Sequence, residues 1–155
     1  MRRAGSLIFL FSVLTSCAKS AQPVDTAVRL SEGNTVDVPF SVRASGTYDI
    51  QLQYPKDGIY IHLHIFDQIA GAATLRAGAK TLSWQLPTGW CRLSPYDSNA
   101  LGTVLVRFHA YAYMPYVLTL HIDHLPNPLE DRPGVVSVYK VGPLFHPGHH
   151  VYEVQ

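Results

Sequence analysis

Eight histidines in 155 residues make metal ligation the first chemistry to consider. His62 and His64 stand two apart in a run that reads as a strand, which puts both imidazoles on one side, as two ligands of a β-sheet metal site would stand. His121 and Asp123 repeat that spacing on the face opposite Leu118, Leu120 and Ile122. In the segment before them, Arg107 and His109 oppose Val106, Phe108 and Ala110. If those two segments are neighbouring strands, several imidazoles share one polar face. His62, His64, His109 and His121 are therefore the candidate metal ligands, and His146-Pro147-Gly148-His149-His150 adds a loop cluster. The same residues suit solvated strand positions and cross-strand hydrogen bonds equally well. Neither Cys-x-x-Cys nor His-Glu-x-x-His occurs, and the sequence calls for no cofactor.

Catalytic templates are missing too. There is no Gly-x-Ser-x-Gly elbow, no phosphate-cradling glycine loop and no nucleotide fingerprint. Asp37, Asp49, Asp57, Asp67 and Asp97 fall on outward strand positions or in turns, and Ser94 and Ser98 read as turn residues. The chain reads as a non-enzymatic binder. Its nine tyrosines and two tryptophans supply amphipathic contact area at small entropic cost. Tyr48, Tyr54 and Trp84 belong to strand patterns and should be buried. Trp90, at the turn Pro87-Thr88-Gly89-Trp90, and Tyr96, after Pro95, are candidate contact residues. So are Tyr111, Tyr113 and Tyr116, which crowd one inter-strand segment that also reads as a tyrosine corner. Trp90 with neighbouring tyrosines would equally make a stacking platform for a glycan.

The elements that must position these groups are strands. Val36, Val38, Phe40 and Val42 alternate with polar residues. After the turn 43–46, so do Tyr48, Ile50, Leu52 and Tyr54, which predicts two strands joined as an antiparallel hairpin. Pro39 lacks a donor and places the first of them at an edge or a bulge. Ile59, Ile61, Leu63 and Ile65 alternate with Tyr60, His62, His64 and Phe66, and apolar runs follow at 81–86, 103–110, 116–122 and 135–141. Asp67–Ala77, alanine-rich but interrupted by Gly71, is the best helical candidate and reads equally as a long connection. The expected architecture is all-β: a single antiparallel β-sandwich of about 7–8 strands over 24–155, with a closed barrel as the other solution.

The leader is the most specific signal. Arg2 and Arg3, the apolar run Leu7–Leu14 and then Leu14-Thr15-Ser16-Cys17 resemble the signal and lipobox of bacterial lipoproteins. The resemblance implies a signal peptide over 1–16, diacylglycerol on Cys17 and a short tether over 17–23. Ala18 after the cysteine implies the outer membrane, facing the periplasm. The pattern Asp37-x-Pro39-Phe40-x-Val42 with Gly46-x-Tyr48-x-Ile50-x-Leu52 resembles small uncharacterised periplasmic β-sandwich lipoprotein domains, as well as many carbohydrate-binding and jelly-roll sandwiches.

Of the twelve Lys and Arg residues, two lie in the leader, which leaves ten against eleven acids. That balance gives no nucleic-acid surface. With Cys17 acylated only Cys91 remains, so no internal disulfide forms and Cys91 reads as a small apolar strand residue. The sequence thus points to a membrane-anchored lipoprotein that touches the bilayer through Cys17 and a protein partner in the envelope, as an accessory or toxin-immunity factor. A glycan-binding module and a histidine metal carrier are the alternatives.

Overall fold

Alternation with period two becomes strand almost throughout the computed structural model, which describes residues 24–56, 63–87, 91–93, 100–142 and 150–154. Among them, in chain order, are β1 (Val24–Arg29), β2 (Thr35–Ser41), β3 (Gly46–Pro55), β4 (Ala70–Ala77), β5 (Lys80–Leu86), β6 (Cys91–Leu93), β7 (Ala100–Ala110), β8 (Pro115–His124) and β9 (Pro133–Lys140). A five-stranded sheet has the order β1-β9-β3-β7-β6, and a four-stranded sheet the order β2-β8-β4-β5. Every pairing between these strands is antiparallel. The fold is a β-sandwich, as alternation and turn spacing predict. The leader, Cys17 and the tether lie outside the described residues, as do His62, Trp90, Tyr96 and most of the 146–150 cluster. No helix among the described residues is long and apolar enough to cross a membrane.

The core forms where the two alternating faces meet. Tyr48, Ile50, Leu52 and Tyr54 of β3, Phe108 of β7 and Val136 and Val138 of β9 pack against Val38, Phe40, Leu75, Tyr116, Leu118, Leu120 and Ile122 of the facing sheet. Phe40 stacks on Tyr116 with ring centroids 5.3 Å apart, and Phe108 meets Tyr116 edge-on at 5.5 Å. Full burial of each large side chain contributes about 1.5–3 kcal/mol, so no disulfide is needed to hold the layers together.

Three local expectations are corrected. β2 and β3 are not a hairpin: β2 pairs with β8, while β3 pairs with β7 and β9, so residues 42–45 arch from one sheet to the other. Period-two alternation says which face is buried and is silent about which strand lies alongside. Pro39 does sit on an edge strand, since β2 ends its sheet. The helical candidate fails as well. Residues 70–77 form the central strand β4, with Gly71, Ala73, Leu75 and Ala77 buried and Arg76 exposed; small inward residues serve close sheet packing here. Lastly, Leu63–Gln68 is a 3-10 helix, with Ile65 and Phe66 buried side by side.

Candidate functional site

Sheet membership decides the fate of the histidines. β7 and β8 belong to different sheets, so His109 and His121 do not share a face. His121 bonds Thr35 Oγ1 through Nδ1 at 2.9 Å and lies 3.2 Å from Asp123 through Nε2. The His109 ring meets Tyr111 edge-on at 5.1 Å. His64 sits in the 3-10 helix, 3.1 Å from Asp67, rather than on a strand. Among the described residues no group of three potential ligands gathers.

A polar stripe that sequence reasoning overlooked runs across β9, β3 and β7, on the face of β3 turned away from the other sheet. Tyr139, Asp49 and Arg107 stand in register across the three strands. Arg107 donates from Nε to Asp49 Oδ1 at 2.6 Å and from Nη2 to Oδ2 at 2.8 Å, and the Tyr139 hydroxyl lies 3.5 Å from Oδ2. The Asp49 bonds hold the guanidinium's pKa above its ordinary value. Gln53 donates to Gln51 at 3.0 Å, and both glutamines are buried. Gly102 on β7 gives Gln51 its room, for a Cβ there would lie 2.7 Å from Nε2. This planar two-point pairing has the geometry of a structural clamp rather than of an acid–base pair.

A cleft of about 260 Å³ opens at the side of the sandwich between β5 and β7, lined by Leu82, Trp84, Gln85, Leu105, Val106 and Tyr152 among others. Its walls follow from topology. Among the described residues, β5 ends its sheet and β6 accompanies β7 over Leu101–Thr103. Further along, β7 is met by Tyr152, whose N–H donates to the Arg107 carbonyl at 3.0 Å and whose carbonyl accepts from the His109 N–H at 2.9 Å. Trp84 is half-buried, and its indole Nε1 is buried without a hydrogen-bond partner. Sequence alternation placed Trp84 inward correctly; Tyr152 carried no signal, because its place depends on a single bridge to Phe108.

The segment between β7 and β8 divides its tyrosines. Tyr111 is 51 % exposed and Tyr113 78 %, with Met114 beside them. Tyr113 holds φ at 61°, rare for a non-glycine residue. Two bonds to the 42–45 arch hold the loop: Tyr113 N–H donates to the Val42 carbonyl at 2.7 Å, and Ala112 N–H to Ser45 Oγ at 2.9 Å. Tyr116 is corrected from contact residue to core. It is fully buried, and its hydroxyl accepts from Tyr111 N–H at 2.9 Å, the corner geometry that was the other reading of this segment. Tyr116→Phe should therefore cost about 1–3 kcal/mol through the orphaned N–H, read as a lower urea midpoint with unchanged slope. A midpoint equal to wild type would show the bond to be dispensable.

No family model and no curated protein matches the sequence. Among solved structures, one from Sulfurospirillum deleyianum superposes with a TM-score of 0.54 at 8 % identity, covering 77 % of this chain and 98 % of that one. The likeness extends to the fold alone. A family GH115 4-O-methyl-α-glucuronidase with specificity for decorated arabinogalactans aligns with a TM-score of 0.36 at 11 % identity, over 92 % of this chain and 20 % of that one.

Proposed function

We propose that the chain is a lipoprotein, anchored through acylated Cys17 on the periplasmic side of the outer membrane, and that it works as a non-enzymatic protein-binding module of envelope-accessory or toxin-immunity type. The observation that carries the reading is the side cleft. Among the described residues an apolar trough lies beside β5, the edge strand of its sheet, with an indole in its wall and exposed Tyr152 on its rim. An extended partner segment can add its backbone to such an edge and seat a side chain in the trough. Aromatic walls of this kind concentrate binding energy.

The test uses photo-crosslinking side chains placed at Gln85, on the cleft, and at Glu130, far from it, in intact envelopes. A discrete protein adduct from Gln85 alone, lost with Tyr152→Ala, is the expected result. Tyr152 is exposed, so that substitution should change stability by about 0.5 kcal/mol or less. Equal adducts at both positions, or none, would overturn the cleft as the contact. Retention on a glycan column, abolished by Tyr152→Ala, would replace the protein partner with a glycan. Labelled palmitate incorporated in wild type and absent from Cys17→Ser tests the anchor separately.

A further inference from the structure

We infer that the end of the sandwich carrying Tyr111, Tyr113 and Met114 faces the bilayer, and that this loop seats in the headgroup layer of an anionic membrane as a second attachment point. The inference rests on the reading of Cys17 as acylated. It draws on three observations that place the start of β1, the charge and the aromatics toward the same end of the molecule.

The first is where the tether leaves. Val24 pairs with Val138, Val138 with Ile50, and Ile50 with Val106, so β1 begins four residues short of Ala110 and runs away from the Tyr111–Met114 loop. The first residue of β1 therefore lies at the end of its strand nearer the loop. Four strand residues span about 13 Å, and the seven steps from Cys17 to Val24 reach about 25 Å at most. A lipid on Cys17 thus keeps this end near the surface.

The second is charge. Around this end stand Arg43 in the arch, Arg76 and Lys80 flanking the β4–β5 turn, and Lys140 at the end of β9, all exposed. The register places Arg76 opposite Val117 and Lys140 opposite Tyr48, which fixes them at the same end as the loop. The segments 41–46, 76–80, 110–115 and 140–142 contain no acid. Asp25 lies farther back, beside Val24, whereas Glu153, which follows Tyr152 in a segment running parallel to β7 toward this end, is a single acid against these four cations. The opposite end carries Glu32, Asp67, Asp123, Glu130 and Asp131 against Arg29, Lys56 and Arg132. There Leu125 N–H and His124 hold the Glu32 carboxyl below its usual range, ionised. A body polarised in this way aligns its cationic end with an anionic leaflet.

The third is the loop. Tyrosine is at home in the headgroup layer, where its ring meets the acyl boundary and its hydroxyl meets water. The bonds to Val42 and Ser45 hold the loop out, and the backbone at Tyr113 accepts φ 61° while its ring stays exposed. Strain kept for an exposed ring is an observation that calls for a use.

The experiment reconstitutes the full acylated chain in phosphatidylglycerol-containing vesicles and reads tryptophan quenching by brominated lipid. Wild type supplies the background of Trp84 and Trp90. Tyr113→Trp should add a quenched, blue-shifted component, and Glu130→Trp an unquenched one. Arg43→Gln and Lys80→Gln should each lower the docked-to-undocked ratio about fivefold. An unquenched Tyr113→Trp chain, equal quenching at both positions, or a protein adduct at Tyr113 in place of quenching would overturn the inference. Intact mass of the same sample keeps the two readings apart. A chain without acyl groups defeats the anchor, whereas an acylated chain with an unquenched loop defeats only the docking, and the quenching decides the docking in both cases.

Discussion

Arg107→Ala is expected to lower the unfolding free energy by roughly 3–5 kcal/mol, out of a total of about 5–15 kcal/mol for a domain of this kind. The guanidinium and the Asp49 carboxylate are both almost wholly buried, with side chains 5 % and 3 % exposed. Removing the cation strands the carboxylate under the same cover, with Tyr139 as a remaining neighbour at 3.5 Å. The loss is therefore dominated by an uncompensated buried charge rather than by the two bonds themselves. That account makes a second prediction within the same stripe. Asp49→Leu combined with Arg107→Met removes both charges together and should restore most of the stability, because a well-packed apolar pair can match a buried ion pair. Urea titration of the three chains decides it. A double variant as unstable as Arg107→Ala would mean that the clamp sets strand register as well as energy.

Gly71→Ala should cost about 3 kcal/mol or more, through backbone rather than side chain. Gly71 holds φ at 156°, and it sits where the register between β4 and β8 shifts. A Cβ there would run into the His121 carbonyl oxygen, with the Ile122 Cα at 3.2 Å. Neither atom is the mobile end of a side chain, so the strands themselves would have to separate. Thr74→Ala in the same strand, which loses only an exposed hydroxyl contact with Ser83 at 3.1 Å, is the control and should change stability little. Comparable losses from the two substitutions would show that β4 tolerates no change, and that the close approach at Gly71 is not the cause.

Sequence alternation was enough to recover the buried faces of β2, β3, β7 and β8, because burial on one side of a sheet writes itself with period two. It could not recover partners. Asp49 and Arg107 are 58 positions apart, and each read as an outward polar residue; only the order β9-β3-β7 brings them together and buries them. The same ignorance produced the false hairpin and the shared histidine face, since each assumed that consecutive strands lie side by side. β4 was hidden for another reason: its inward residues are glycine, alanine and leucine, and small side chains leave a weak apolar signature. Tyr116 was half legible, because a tyrosine next to a turn suits both a corner and a contact, and only its buried hydroxyl separates them. The side cleft had no signature at all, because its walls come from β5, β7 and Tyr152, which only the fold brings together.

The arch at 42–45 also governs the timing of assembly. With β2 and β3 committed to different layers, the hairpins left among the described strands are β4–β5 and the short β6–β7, while β3 waits for β7 on one side and for β9 on the other, and β1 waits for β9. Such non-local wiring belongs to topologies that mature in milliseconds to seconds rather than microseconds. A chain that crosses a membrane amino end first would have β1 and one edge of β3 open on the far side until its final quarter emerged. Ending translation at Arg132 should therefore yield an aggregating or degraded polypeptide rather than a smaller sandwich, with the carboxyl-terminal strand acting as the clasp.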